Sequence, residues 1–520
     1  MRERRSLLLV ILILASSAWL ACRRPLRAHP KVVLIGLDGA SWNVLDPLLK
    51  EGVLPHLDAL RQRGVTADLG TVEPVDSPTE WTTIGTGRRP AVHGVTSFFA
   101  TWDFIRVPTI WERLAARGVR VGLYDYLITW PPRTLPGGFV IPGWTRLDGA
   151  VTPPDVFARA GVTPYAYSVE RLALQGSPVA NSRRELSEKP PRWNRLEKAF
   201  GIDVGAVTFY SFDLISHRFW RATHPEEFPA ETSPVDPRQR LLLRDTALEV
   251  DRAVGEMVDA LDPETAVLIA SDHGFRARPD GVRRKWSFHS RRWLALAGLV
   301  PDRDHFKTVD DWQEMIVRVE PGGDPAEREK ILGRLRDLFA SAHDAAGSPL
   351  FKVDVLHGTD PKREGLPKAF AELVRLGAPA YGWLLARPDQ ALLERACPDG
   401  ALTTMGGPMA CGALAHVEEF SGAHDPTAVF LAAGGPIRHL AARGRLHVLD
   451  LAPLIVYLAG QPIPDDLEGR LPSWILSPAS LKRHPPSKIA VRAPLRRGGA
   501  GTAPEDPELT RRLKSLGYVN

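Results

Sequence analysis

Three aspartates, three histidines and one serine in this 520-residue chain have the types and spacing for metal binding and nucleophilic attack. Asp213 and His217, in the pattern Asp-x-x-x-His, fall one helical turn apart if the chain there is helical. Asp272-His273-Gly274 sets a second carboxylate beside a second imidazole, and Asp38 and the late His424 complete the group. Imidazole and carboxylate ligands without sulfur suit zinc, less often manganese or iron, whereas calcium prefers more oxygens and fewer histidines. Near the start of the chain, Ser77-Pro78-Thr79-Glu80 reads as a helix N-cap, a proline at N1 and a capping-box glutamate. A serine there meets free N–H groups and the positive end of the helix dipole, both favourable to a phosphoryl oxygen. Taken singly, each feature has an ordinary explanation. Ser77 could merely cap its helix, an aspartate at a strand end commonly does the same, and a lone histidine is usually structural.

The elements around these residues recur in one pattern. Val32–Leu37 is an unbroken apolar run, as expected of a strand covered on both faces of a parallel sheet, and it ends in Asp38. Val204 to Phe212 is largely apolar and ends in Asp213, and Ala266–Ala270 ends at Ser271-Asp272. Between them lie helical stretches at 55–63, 110–117 and 245–261, the first two stopped by Gly64 and Gly118. Alternating strands and helices predict an α/β fold with a central, mainly parallel sheet and helices on both faces; ligands of such sheets sit at the carboxyl ends of strands. The expected organisation is a catalytic core over 30–274 and 420–480, an inserted, loop-rich cap region over 275–419 with few strand candidates, and a loose tail over 481–520. The sheet pattern returns at Ala428–Ala432, and a helix is expected over 449–458.

Composition is that of an ordinary globular protein, 44% hydrophobic and 24% charged. Sixty-six basic residues against 61 acidic ones give +5, too balanced for a duplex nucleic-acid partner. Residues 1–22 carry arginines at 2, 4 and 5, then an apolar or small run from Ser6 to Ala21, then Cys22. That is a secretory signal, short of the ~20 residues of a bilayer span. Cys22 after Leu20-Ala21 resembles a lipoprotein cleavage site, although Trp19 is unusual three residues before it. The body of the protein is therefore expected outside the cytoplasm: periplasmic and held by a lipid at Cys22, or secreted, with membrane contact only through the N-terminal segment. The two other cysteines, Cys397 and Cys411, either pair in that oxidising compartment or remain thiols.

Taken together, Leu37-Asp38-Gly39, Ser77-Pro78 through Thr86-Gly87, His93-Gly94, Asp213…His217, Ser271-Asp272-His273-Gly274 and Gly422-Ala423-His424 resemble the alkaline phosphatase superfamily. Their order is that of its type I phosphodiesterase/nucleotide pyrophosphatase branch. The resemblance implies two divalent ions, zinc first and manganese as the alternative. One would be held by Asp213, His217 and His424, the other by Asp38, Asp272, His273 and the Ser77 oxygen. It implies that Ser77 attacks phosphorus in a small phosphate ester and forms a covalent seryl-phosphoryl intermediate.

Two departures bear on substrate. Nucleotide pyrophosphatases usually carry threonine where this chain has Ser77. They also carry an asparagine that holds a phosphate oxygen, where this chain has Phe98. Helix N–H groups of Thr79 and Glu80, or Thr96 or Ser97, are the expected substitutes. Three alternatives compete. A sulfatase would need C/S-x-P-x-R, which Ser77-Pro78-Thr79-Glu80 does not fit. A phosphotransferase would pass the group to a lipid or sugar, and a metal-binding surface lipoprotein would have no activity. Trp42, Trp81, Trp102, Tyr210 and Trp220 are expected in the core more than stacked on a base or sugar. The sequence does not give the oligomeric state.

Overall fold

The computed structural model describes residues 31–143, 149–163, 178–288, 290–301, 303–310, 315–320, 324–357, 382–397, 400–491 and 509. The signal segment with Cys22 and nearly all of the tail beyond 491 lie outside these residues. Strands and helices alternate through the first part of the chain. They are β1 (Val32–Leu37), α1 (Trp42–Glu51), α2 (Pro55–Gln62), β2 (Val65–Gly70), α3 (Ser77–Thr86), β3 (Val121–Tyr126) and β4 (Phe139–Pro142). Then follow α4 (Pro178–Phe200), β5 (Val204–Phe209), α5 (Ser211–Thr223), α6 (Leu242–Val258) and β6 (Ala266–Ala270). Next come β7 (Gly274–Ala277), β8 (Arg283–Phe288), β9 (Phe306–Asp310), β10 (Met315–Val319), α7 (Pro325–Ala340), β11 (Phe351–His357) and β12 (Gly382–Pro388). The chain closes through β13 (Ala415–Phe420), β14 (Gly422–Asp425), β15 (Thr427–Ala433), β16 (Gly444–His447) and α8 (Leu451–Leu458).

Eight strands form the central sheet in the order β16-β2-β15-β6-β1-β5-β3-β4. All run parallel except β15, which is antiparallel to both neighbours. The fold is thus the α/β class that the sequence predicts. Both faces are covered, and β1 shows why its sequence is continuously apolar. Val32 and Leu34 pack on one side with α3 and α8, while Val33, Ile35 and Leu37 pack on the other with α1, α2, α4, α5 and α6. Strand alternation divides the two sets. Each such side chain, fully buried, contributes roughly 1.5–3 kcal/mol. Trp42, Trp81, Trp102, Tyr210 and Trp220 are all buried in these cores.

The stretch 275–419 differs from the loop-rich region expected. It contains a four-stranded antiparallel sheet, β11-β12-β10-β9, with α7 packed on it through Ile331, Leu332, Leu335, Leu338 and Phe339. Charged residues break most of its strands, Arg318 in β10 and Lys352 and Asp354 in β11, and Asp354 pairs with Arg387 near the end of β12, after the short buried apolar run 383–386. Cys397 and Cys411 are joined by a disulfide with Cα atoms 5.3 Å apart. Two further ladders, β8 with β13 and β7 with β14, return this segment to the sheet beside the carboxyl ends of the central strands. The second ladder sets His424 opposite Phe275, two residues from His273.

Candidate metal centre

The three aspartates arrive by the same rule. β6, β1 and β5 are adjacent and parallel, and Asp272, Asp38 and Asp213 follow their carboxyl ends. Backbone bonds lock the ends together: Asp38 N–H donates to Phe209 O at 2.9 Å, and Asp213 N–H to Asp38 O at 3.1 Å. Gly39 permits this approach. Its φ is +72°, and a Cβ there would lie 2.8 Å from Asp213 Cα. Its N–H donates to Asp272 Oδ1 at 3.2 Å. Asp213 and His217 lie on α5, one turn apart as their spacing predicts.

Seven side chains converge. His217 Nε2 lies 3.2 Å from Asp213 Oδ1 and 3.2 Å from His424 Nε2, and His424 Nε2 lies 3.5 Å from Asp213 Oδ1. Three ligands at 2.0–2.1 Å from a tetrahedral zinc ion would stand about 3.3 Å apart, so this triangle has the size of a zinc face. On the other side, His273 Nε2 lies 3.7 Å from Asp38 Oδ1, 3.5 Å from Asp272 Oδ2 and 3.3 Å from Ser77 Oγ, with Ser77 Oγ 3.4 Å from Asp38 Oδ1. His273 stands at the boundary, 3.9 Å from Asp213 Oδ1 and with its ring stacked on His424 at 3.5 Å. Its shorter contacts are with Asp38 and Asp272.

The chemistry of these donors fits a cation. His424 Nδ1 faces Val75 O at 2.9 Å and His273 Nδ1 faces Gly274 O at 3.1 Å. Each donates its Nδ1–H there, which in the neutral ring turns the Nε2 lone pair inward. Asp272 Oδ2 is fully buried without a hydrogen-bond donor. Three buried carboxylates so close repel. Burial, with the charges of Asp272 and Asp213, raises Asp38 well above the carboxylate range, and burial with Asp213 raises Asp272 to about 7. Burial would raise Asp213 too, but His217 and His424 hold it well below its ordinary value. Burial disfavours charge on His424, yet the bond to Asp213, the Asp213 charge, the Val75 carbonyl and the Asp272 charge together outweigh it and raise the imidazole. Positive charge at the centre relieves all of these strains at once.

Ser77 is not the N-cap of α3. Asp76 is: its Oδ1 accepts the Thr79 N–H at 3.0 Å, and its carbonyl accepts the Glu80 N–H at 3.0 Å. Either residue is a good N-cap by type, and the shift by one places Ser77 at N1 and Pro78 at N2. The Ser77 hydroxyl is thereby released from capping and faces Asp38 and His273. The shift also removes Glu80 from the capping box. Glu80 instead accepts the Val72 N–H at 2.9 Å through Oε1, and burial pushes it up to about 10. The N–H groups of Thr79 and Glu80, expected to hold a phosphate oxygen, are engaged by Asp76. Thr96 is exposed and Ser97 half-buried in the loop after His93-Gly94, while Phe98 is buried in the core.

Two residues near the centre have roles that the sequence does not reveal. Trp81 Nε1 donates to Asp38 Oδ2 at 3.0 Å, and Gly36 makes room for it: a Cβ there would lie 2.5 Å from Trp81 Cη2. His93 is structural. Its Nδ1 accepts the Val95 N–H at 3.1 Å, so its Nε2–H donates to Thr83 Oγ1 at 3.0 Å, and Thr83 in turn donates to Thr79 O. The i, i+4 spacing of Thr79 and Thr83 was visible, but the distant partners were not.

Residues 32–373 match the model of the family described as type I phosphodiesterase / nucleotide pyrophosphatase. The chain belongs to this family. It is accordingly a phosphoester hydrolase of the alkaline phosphatase superfamily, in a divalent-metal-dependent family. His424 lies beyond the matched residues and is brought to the centre by the β7–β14 ladder. Solved structures are similar at low identity. Phosphonoacetate hydrolase from Sinorhizobium meliloti 1021 in complex with phosphonoformate is 17% identical, with 84% of this chain and 97% of that one covered and a TM-score of 0.41. Human ectonucleotide pyrophosphatase / phosphodiesterase 5 is 16% identical over 85% and 98%, with a TM-score of 0.38. The murine protein of that name, in an inactive form with AMP, is 15% identical over 86% and 100%, with a TM-score of 0.39. No curated protein sequence is significantly similar to the chain.

Proposed function

We propose that this protein hydrolyses small phosphate diesters on two zinc ions, through a covalent intermediate on Ser77. One observation carries the proposal: the Ser77 hydroxyl, buried and released from capping by Asp76, stands 3.3–3.4 Å from His273 and Asp38 within a closed set of seven ligand-type groups. Asp213, His217 and His424 would hold one ion, and Asp38, Asp272, His273 and Ser77 Oγ the other. When bound, the two ions would supply Lewis-acid charge for the phosphoryl oxygens and the serine oxygen. Ser77 Oγ bonds to phosphorus as the bond to the leaving alkoxide breaks, and the hydroxyl proton is released. Water then cleaves the Oγ–P bond, restoring serine and releasing the monoester. Trp81 Nε1–H fixes the Asp38 carboxylate so that Oδ1 faces Ser77. Thr96 and Ser97 are the remaining side chains proposed to meet a phosphate oxygen.

The core over 30–274 and 420–480 would carry the chemistry, and the insertion over 275–419 substrate choice. The site of action we propose is extracytoplasmic, on the strength of the N-terminal signal pattern and the Cys397–Cys411 disulfide. Among the described residues no helix is long and apolar enough to cross a membrane; the membrane contact we propose is through the N-terminal segment. The test is turnover of a chromogenic phosphodiester and of its monoester by the protein from residue 29 on, with zinc or manganese, beside Ser77→Ala. Metal-dependent diester turnover lost in the variant supports the proposal. A monoester preference makes it a phosphatase, and zinc binding without turnover of either ester refutes hydrolysis.

A further inference from the structure

A buried ion cluster lies behind the metal centre, and the chemistry above makes no use of it. Lys189, on α4, is 0% exposed. Its ammonium contacts Glu185 Oε1 at 2.7 Å, Asp125 Oδ2 at 2.9 Å and Thr208 O at 2.6 Å. The rings of Phe209, Tyr210 and Tyr124 surround it at 4.9, 5.4 and 5.8 Å. Glu185 also receives the Tyr210 N–H, 3.0 Å from both of its oxygens, and the Ser211 hydroxyl at 2.5 Å. The Tyr210 hydroxyl donates to Asp125 O. Asp125, next to the last residue of β3, has a left-handed conformation, φ 55°.

Apart from Tyr124, every contact falls on the junction of β5 and α5 or on the neighbouring strand end at Asp125. α5 has no cap of its own, since Tyr210 at the N-cap position makes no side-chain cap bond. Glu185 supplies that function from another helix. The junction so held is the one that carries the centre: Phe209 O receives the Asp38 N–H, and Asp213 is the third residue of α5. As a stability device the cluster is a poor choice. Apolar residues of similar volume commonly do as well or better than a buried ion triad. As a means of fixing one geometry it is effective, because Lys189 is held at once by Glu185, Asp125 and the Thr208 carbonyl, and Glu185 in turn by Lys189, the Tyr210 N–H and the Ser211 hydroxyl.

We infer that Lys189, Glu185 and Asp125 are positioning residues for the metal centre: Lys189 orients Glu185, which caps α5 from outside and holds Asp213 and Asp38 in register. The inference rests on the proposal that Asp213 and Asp38 are metal ligands. Outer partners of ligands typically change metal affinity 10–100-fold, and a ligand set tolerates only about 0.5 Å of misplacement.

The experiment is a competition between the protein and a chromogenic chelator for zinc, with thermal unfolding of the metal-free protein alongside. Glu185→Gln is compared with Asp203→Asn, which breaks a partly buried ion pair, Arg120–Asp203 at 3.2 Å, at the opposite end of β5. Both variants should unfold at lower temperature. Only Glu185→Gln should bind zinc roughly 10–100-fold more weakly. Zinc affinity of Glu185→Gln within threefold of wild type overturns the inference, as does an equal loss in Asp203→Asn. Wild-type protein that binds no zinc refutes the metal centre itself. Should Glu185→Gln not fold, Ser211→Ala removes one bond to Glu185. A smaller loss of affinity there supports the inference, and none overturns it.

Discussion

His93 makes the folded protein sensitive to acid in a calculable way. The ring is fully buried, with Nε2–H donated to Thr83 and Nδ1 occupied by the Val95 N–H. Burial, aided by the Arg106 charge, lowers it from 6.5 to about 3. The folded state therefore stays neutral at His93 through a range in which the unfolded chain takes up a proton. Since the unfolded state binds more protons between pH 6.5 and 3, stability falls as pH falls through that window. The loss from this one group is about 0.2 kcal/mol at pH 7, about 2 kcal/mol at pH 5 and approaches about 5 kcal/mol near pH 3, at 1.36 kcal/mol per pKa unit. His93→Gln keeps a donor toward Thr83 and does not titrate. Urea unfolding at pH 7 and pH 5, in chelator so that metal release contributes nothing, should show wild type losing about 2 kcal/mol more than the variant. Other groups titrate equally in both proteins and cancel in the difference. Equal losses in the two proteins would refute the burial and bonding assigned to His93.

Three further outcomes follow from the structure. Trp81→Phe removes the Nε1–H donor from Asp38 and should weaken zinc binding roughly 10–100-fold in chelator competition; unchanged affinity would show that Asp38 needs no support from Trp81. Asp76→Ala removes the α3 cap and should destabilise by about 1 kcal/mol, whereas Asp76→Asn, which retains an acceptor for the Thr79 N–H, should cost only a few tenths; equal denaturation midpoints for all three proteins would contradict the cap. Reducing the Cys397–Cys411 bridge, with a separation of 14 residues, should destabilise the 275–419 segment by about 3 kcal/mol, measured by unfolding with and without reductant.

What the sequence reveals and what it hides divide along physical lines. Asp38 and Asp272 were legible because a strand buried on both faces must be apolar, so the first aspartate after it marks the sheet's carboxyl edge. Asp213 and His217 were legible because a four-residue spacing has one meaning on a helix. The cap of α3 was not, since Asp76 and Ser77 are equally good N-caps by type and only the path of the backbone chooses between them. Strands β10 and β11 carry Arg318, Lys352 and Asp354 within them and lack the unbroken apolar runs that announce the core strands, and the run 383–386 of β12 is too short to declare itself alone. Glu185 and Lys189 have the spacing of an ordinary exposed i, i+4 pair, and nothing local sets them apart in the helix that runs on through Pro190 and Pro191. Their burial depends on β3 and β5, which no local pattern shows.

The central claim, attack by Ser77, is tested most directly by trapping. The zinc-loaded protein would be mixed with a chromogenic phosphodiester, quenched in acid within the first turnover, digested and weighed by mass spectrometry. A phosphoryl-ester adduct on the peptide containing Ser77, absent from Ser77→Ala and from metal-free protein, is the predicted result. Turnover at full rate with that peptide unmodified, or activity retained in Ser77→Ala, would contradict it.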